Sequence, residues 1–89
     1  MQQTNSVRIG MCQLLVEGGE AERNLERAAA MVRKAAQEGC EIVLLPETLD
    51  LGWTHPTAKS EAAPIPGARS DVFCDLAREH GTYICCGLT

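Results

Sequence analysis

The sequence predicts an α/β fold, with three parallel strands in one sheet and the element order βαβαβ. Three observations carry that expectation. Short apolar runs, the densest being Ile42-Val43-Leu44-Leu45, alternate with segments whose apolar residues recur at helical spacing. Breakers close each of these segments, at Gly18-Gly19, Gly39, Pro46 and Gly81. The two helical segments lie between the strands, and a strand, a crossover helix and a second strand in one sheet run parallel under the right-handed crossover rule.

Residues 1–6 are polar and are set apart as a tail, leaving 7–89 as the folded part. The first strand is expected over Val7–Val16, VRIGMCQLLV, which is apolar on both alternating faces except at Arg8 and Gln13 and therefore suits burial on both sides. Gly18-Gly19 break it, and Glu20 and Glu22 supply the negative charge that a helix start favours. In the helix that follows, Leu25, Ala28, Ala29, Val32, Ala35 and Ala36 form one stripe, while Glu22, Glu26, Arg27, Arg33 and Lys34 point elsewhere. Basic residues near its end and Gly39 just beyond it are stop signals.

The run Glu41–Leu45 is too short for a helix and suits a central strand. Pro46 ends it, because proline has no N–H to give to the ladder. From Thr48 to Gly67 the prolines and glycines predict a long loop holding a short turn of helix, and loops of that length usually serve a function. A second helix is expected over Ser70–His80, with Val72, Phe73, Leu76, Ala77 and His80 on one side and Gly81 as its stop. Thr82–Leu88 then reads as a third buried strand.

Composition bounds the function. At 89 residues the chain is one domain or part of one, and 45% apolar with 22% charged residues excludes a disordered acidic tail, a collagen-like repeat and a coiled coil. Eight basic against 12 acidic residues give a net charge of -4, with no cationic cluster to bind phosphate, and Trp53, Phe73 and Tyr83 are too few for a base-stacking platform. Nucleic acid is therefore not an expected partner. No apolar run approaches the ~20 residues that span a bilayer, so no membrane partner is expected. The polar opening is not an export signal, which makes the expected location cytoplasmic. Five cysteines, an odd count in that setting, are expected as free thiols, with Cys12, Cys40, Cys85 and Cys86 packed as small hydrophobes.

Ligands of open α/β sheets gather beyond the carboxyl ends of the strands. Gln13 to Glu17, Glu47 and whatever follows Thr89 fall there. A carboxylate beside an apolar strand end is partly desolvated and makes a usable general base. The same position also suits a surface or capping glutamate. Competing chemistries find less support. Gly18-Gly19 is too short for a dinucleotide loop, no acidic residue ends the first strand as in a receiver domain, and no C-x-x-C pair is present. His55 and His80 lack zinc-site spacing. No cofactor or metal is expected.

The run GCEIVLLPETLDLGW, residues 39–53, resembles the segment of the nitrilase superfamily, the carbon–nitrogen hydrolases, that carries their glutamate. VRIGMCQ resembles the opening strand of that family; Asn24-Leu25, Ile65-Pro66-Gly67 and Leu76-Ala77-Arg78-Glu79-His80-Gly81 match in order and spacing. The resemblance runs from about Val7 to Leu88. It implies the opening part of an αββα sandwich and a Glu-Lys-Cys mechanism on a nitrile or amide C–N bond, with Glu47 as general base. It further implies a small-molecule substrate, and a homo-oligomer for the complete protein.

In that family the lysine and cysteine lie beyond the third strand. Lys34 sits on the outer side of the first helix and Lys59 in the long loop, and none of the five cysteines matches the family's cysteine segment. The 89 residues are therefore expected to be the amino-terminal part of a longer catalytic domain. Trp53 follows Glu47 where the family often carries an aromatic; a pocket wall and simple loop packing are both open for it. A non-catalytic βαβ binding or regulatory module is the alternative to the enzyme.

Overall fold

The computed structural model describes residues 5–89 and contains β1 (Ile9–Met11), α1 (Ala21–Gln37), β2 (Ile42–Leu44), α2 (Thr57–Ser60), α3 (Ala68–His80) and β3 (Tyr83–Cys85). Most of the expected tail lies outside the described residues; its last two, Asn5 and Ser6, are exposed. The sheet is parallel in the order β1-β2-β3, with Gly10, Val43 and Ile84 aligned across it, so the expected βαβαβ order holds. The turn of helix expected within the long loop is α2.

Crossovers that step the same way across a sheet, each right-handed, put their helices on one face. Here α1 and α3 pack on each other and against β2 and β3, and the core is Cys12, Ala28, Ala29, Val32, Ala35, Val43, Leu49, Phe73 and Leu76. Small alanines on the inner face of α1 let it approach closely, while Phe73 and Leu76 of α3 fill the remaining space. Gly39 and Gly81 end the two helices at φ 83° and 63°, the left-handed conformation expected of them.

Two expectations are corrected. The first strand does not extend over Val7–Val16: pairing lasts only while β2 offers a partner, and Pro46 removes β2 from the sheet, so β1 ends at Met11 with one further bond from Cys12 N–H to the Leu44 carbonyl at 2.9 Å. Nor are β1 and β3 buried on both sides. Their alternate residues away from the helices, Ile9, Met11, Tyr83 and Cys85, are exposed, Met11 at 73% and Tyr83 at 78%. Both helices lie on the other face, so among the described residues nothing covers this one.

The thiols divide accordingly. Cys12 is buried, Cys40 and Cys86 are half-buried, and Cys74 and Cys85 are exposed, so the packing role expected of Cys85 is not met. Burial pushes the Cys12 and Cys86 thiols up, and neighbouring thiols add to it. A thiol held protonated is a weak nucleophile.

Candidate active site

Pro46 turns the chain out of the sheet and Glu47 follows it, three residues past the end of β2, at the rim where β1 also ends. A cleft at this rim is lined by Met11 to Leu14 from one side and Leu44 to Pro46 from the other. Residues 47–51 form a turn, and within it Leu49, Asp50 and Leu51 are wholly buried while Glu47 is exposed. The desolvation expected of Glu47 is therefore not supplied by the described residues, because the sheet face and the cleft beside it are open.

The turn stays bonded to the chain that leaves β3. Leu45 N–H donates to Cys85 O at 2.9 Å, Gly87 N–H to Pro46 O at 3.3 Å and Leu49 N–H to Gly87 O at 3.0 Å. Pairing thus continues past the formal strand ends. Gly87 permits it, since a Cβ there would lie 2.8 Å from Glu47 Cα, a backbone atom with little freedom to yield. Thr48 adopts φ 45°, and its hydroxyl donates to the Glu47 carbonyl at 2.8 Å. A β-branched residue in the left-handed region costs on the order of 1–3 kcal/mol and persists only where its surroundings fix it.

Two buried polar side chains do the fixing. Asn24 of α1 uses its full hydrogen-bonding capacity: Oδ1 accepts from Glu17 N–H at 2.8 Å and from Arg27 Nη1 at 3.2 Å, and Nδ2 donates to the carbonyls of Glu17 and Asp50, both at 2.8 Å. It ties the β1–α1 loop to the Glu47 turn. Glu17 also pairs with Arg27, whose hydrogen bond and charge hold the Glu17 carboxyl below its ordinary range. Asn24→Ala strands buried backbone groups, and we expect it to cost the protein about 2–4 kcal/mol of stability, read by denaturant unfolding. A loss under about 0.5 kcal/mol, the usual range of a neutral surface change, would contradict this packing.

Asp50 is wholly buried; its Oδ1 accepts from Thr89 N–H at 2.9 Å and its Oδ2 from Arg69 Nη1 of α3 at 3.1 Å. Burial opposes its ionisation, but the bonds from Thr89 and Arg69 outweigh that and hold the carboxyl below its usual value. A carboxyl lowered by folding stabilises the native state above its unfolded pKa of ~3.9, and that contribution disappears as pH falls through the native value. The stability gap between the parent and Asp50→Asn is therefore expected to be constant above about pH 5 and to close below about pH 4. A gap that does not change over that range would contradict the assignment.

Other candidate residues stand apart. Trp53 is 73% exposed and borders a shallow cleft with Val16, Gly18, Gly52 and His55; Glu47 does not line it. His55 Nδ1 meets the Thr57 hydroxyl at 2.8 Å, at the start of α2. Lys34 and Lys59 are exposed on α1 and α2, and neither lines the cleft at the strand ends. Among the described residues no group of three His, Cys, Asp or Glu is arranged to hold a metal ion, and no helix is long and apolar enough to cross a membrane. Asp50 and Gly87 are not marked by any motif, and Arg69, which helical spacing puts on the outer side of the second helix, instead reaches the buried Asp50; an aspartate between Leu49 and Leu51 is the available sign of a buried, partnered carboxylate.

The profile of the carbon-nitrogen hydrolase family matches residues 8–89. Among curated proteins the chain is similar to an omega-amidase NIT2 of Xenopus tropicalis, 34% identical over 77 residues, which is 86% of this chain and 28% of that protein. It is similar also to a nitrilase of Pyrococcus abyssi (strain GE5 / Orsay), 29% identical over 85 residues, which is 91% of this chain and 32% of that protein. The omega-amidase NIT2 of Mus musculus is 31% identical over 80 residues, 90% of this chain and 29% of its own length. The chain thus spans about a third or less of the length of these relatives.

Proposed function

Because the chain belongs to the carbon–nitrogen hydrolase family, we propose that residues 7–89 are the amino-terminal part of a longer catalytic domain that hydrolyses a C–N bond of a small nitrile or amide, with Glu47 as general base. The lysine and the nucleophilic cysteine of the Glu-Lys-Cys set come from chain beyond Thr89. The observation that carries this reading is Glu47 itself, exposed at the carboxyl rim of a parallel sheet on a turn whose Leu49, Asp50 and Leu51 are buried. The names of the relatives, omega-amidase and nitrilase, favour amide and nitrile substrates.

On an amide, the Glu47 carboxylate takes the thiol proton and sulfur attacks the carbonyl carbon, forming a C–S bond. The lysine steadies the negative charge on the oxygen of the tetrahedral intermediate. As the C–N bond breaks, Glu47 returns its proton to the leaving nitrogen and ammonia departs from a thioester. Water then gives a proton to Glu47 and attacks the thioester, and the thiol regains the proton as the acid leaves. One carboxylate thus serves both halves.

The uncovered face of Ile9, Met11, Tyr83 and Cys85 suits a second sheet, the other half of an αββα sandwich, whose arrival would also desolvate Glu47. The complete enzyme is read as a cytoplasmic homo-oligomer that needs no cofactor. The test is ammonia release from small ω-amides and nitriles by the full-length protein, with and without prior thiol alkylation. Release that alkylation abolishes is expected; release unaffected by it, or none from any amide or nitrile, would contradict the reading.

A further inference from the structure

We infer that Asp50 is the positioning residue for Glu47: its buried carboxylate locks the Glu47 turn to the chain leaving β3 and so fixes where the base stands relative to the groups that chain leads to. The inference rests on the reading of Glu47 as general base. One residue here joins three parts of the fold. The carboxylate holds Thr89 N–H at 2.9 Å and Arg69 of α3 at 3.1 Å, and the Asp50 carbonyl accepts from Asn24 of α1 at 2.8 Å.

Along the paired segments, bonds fall at Leu45 with Cys85, at Pro46 and Leu49 with Gly87, and at Asp50 with Thr89. In the last of these a side-chain oxygen replaces the peptide carbonyl that a regular ladder would supply. That substitution lets the chain curl into a turn without losing its hold on the strand beside it. Only Thr48 and the buried Leu49 lie between Glu47 and Asp50, and Thr48 is in the left-handed conformation. A strained link persists when it is held at both ends. The upstream end is held by β2 and Gly87, and the downstream end by Leu49 and Asp50.

A purely structural role would remove folded protein without changing the turnover of what remains folded. A positioning role lowers kcat per folded molecule, because misplacing a reacting group by about 1 Å costs roughly 10²-fold, while KM changes little. The experiment measures kcat, KM and the folded fraction of the full-length protein for the parent, Asp50→Ala, Asp50→Asn and Glu47→Gln. Asp75→Asn, in an exposed pair with Arg78, is the control. We expect Asp50→Ala to lose about 10²-fold in kcat per folded molecule. Asp50→Asn keeps an acceptor for Thr89 N–H and should fall between it and the parent; it carries the test alone if Asp50→Ala does not fold. Parental kcat in folded Asp50 variants, with Glu47→Gln impaired, would overturn this inference alone. Parental kcat in Glu47→Gln would overturn the base reading and this inference with it.

Discussion

Glu47→Gln is expected to lower the turnover of the full-length protein by about 10²–10⁴ while leaving its fold intact, the consequence of removing the proposed general base. The side chain is exposed, makes no ion pair among the described residues and sits on a turn held by other residues, so glutamine fits without disturbing the packing. Under the proposed mechanism, what it loses is the capacity to accept the thiol proton, and later the proton of water. Both halves of the reaction slow, so substrates with good and poor leaving groups should lose activity alike. A matched unfolding profile with a large drop in kcat is the expected pair of results. Parental turnover in the folded variant would remove Glu47 from the mechanism.

The 89-residue chain on its own is expected to hydrolyse no amide or nitrile and to associate in solution. The chemical half follows from the proposal that the lysine and cysteine lie beyond Thr89. Cys12 and Cys86 are poor substitutes, since burial holds them protonated, and exposed Cys85 lies on the sheet face that the helices leave open. The physical half follows from the sheet. Among the described residues, Ile9, Met11 and Tyr83 expose an apolar face, and β1 and β3 each present an unpaired edge. A domain of this size buries only about 60–70% of its unfolded-chain surface even when complete, which leaves little stability to offset such a face. Light scattering and binding of an apolar dye should both report association. A monomer with a sharp cooperative unfolding transition and no dye binding would contradict this account.

Periodicity made the fold legible. The stripe from Leu25 to Ala36 and the run Ile42–Leu45 are local patterns, and local patterns determine which elements form. Strand lengths were not legible, because β1 can pair only as far as β2 runs beside it, and Pro46 rather than anything in residues 7–16 sets that limit. Apolar residues on both faces of Val7–Val16 recorded that both faces suit burial, not that the helices of this chain cover one alone. At the site, Pro46 foretold where Glu47 would stand. Its support was hidden, since Asp50 meets partners 19 and 39 residues away in sequence, and no spacing rule in a single chain reports such pairs.

The most direct test of the central claim is mass spectrometry of full-length protein mixed with an activated ester of a small acid. Such a substrate needs no proton for its leaving group, so at high pH, where the thiol ionises unaided, it acylates the cysteine even without a general base. Hydrolysis of the thioester still needs one. With Glu47 as that base, Glu47→Gln accumulates a lasting acyl adduct on a cysteine beyond Thr89 that the parent clears, over and above the acylation of exposed Cys74 and Cys85 common to both. A variant that clears the adduct as fast as the parent would contradict the assignment of Glu47.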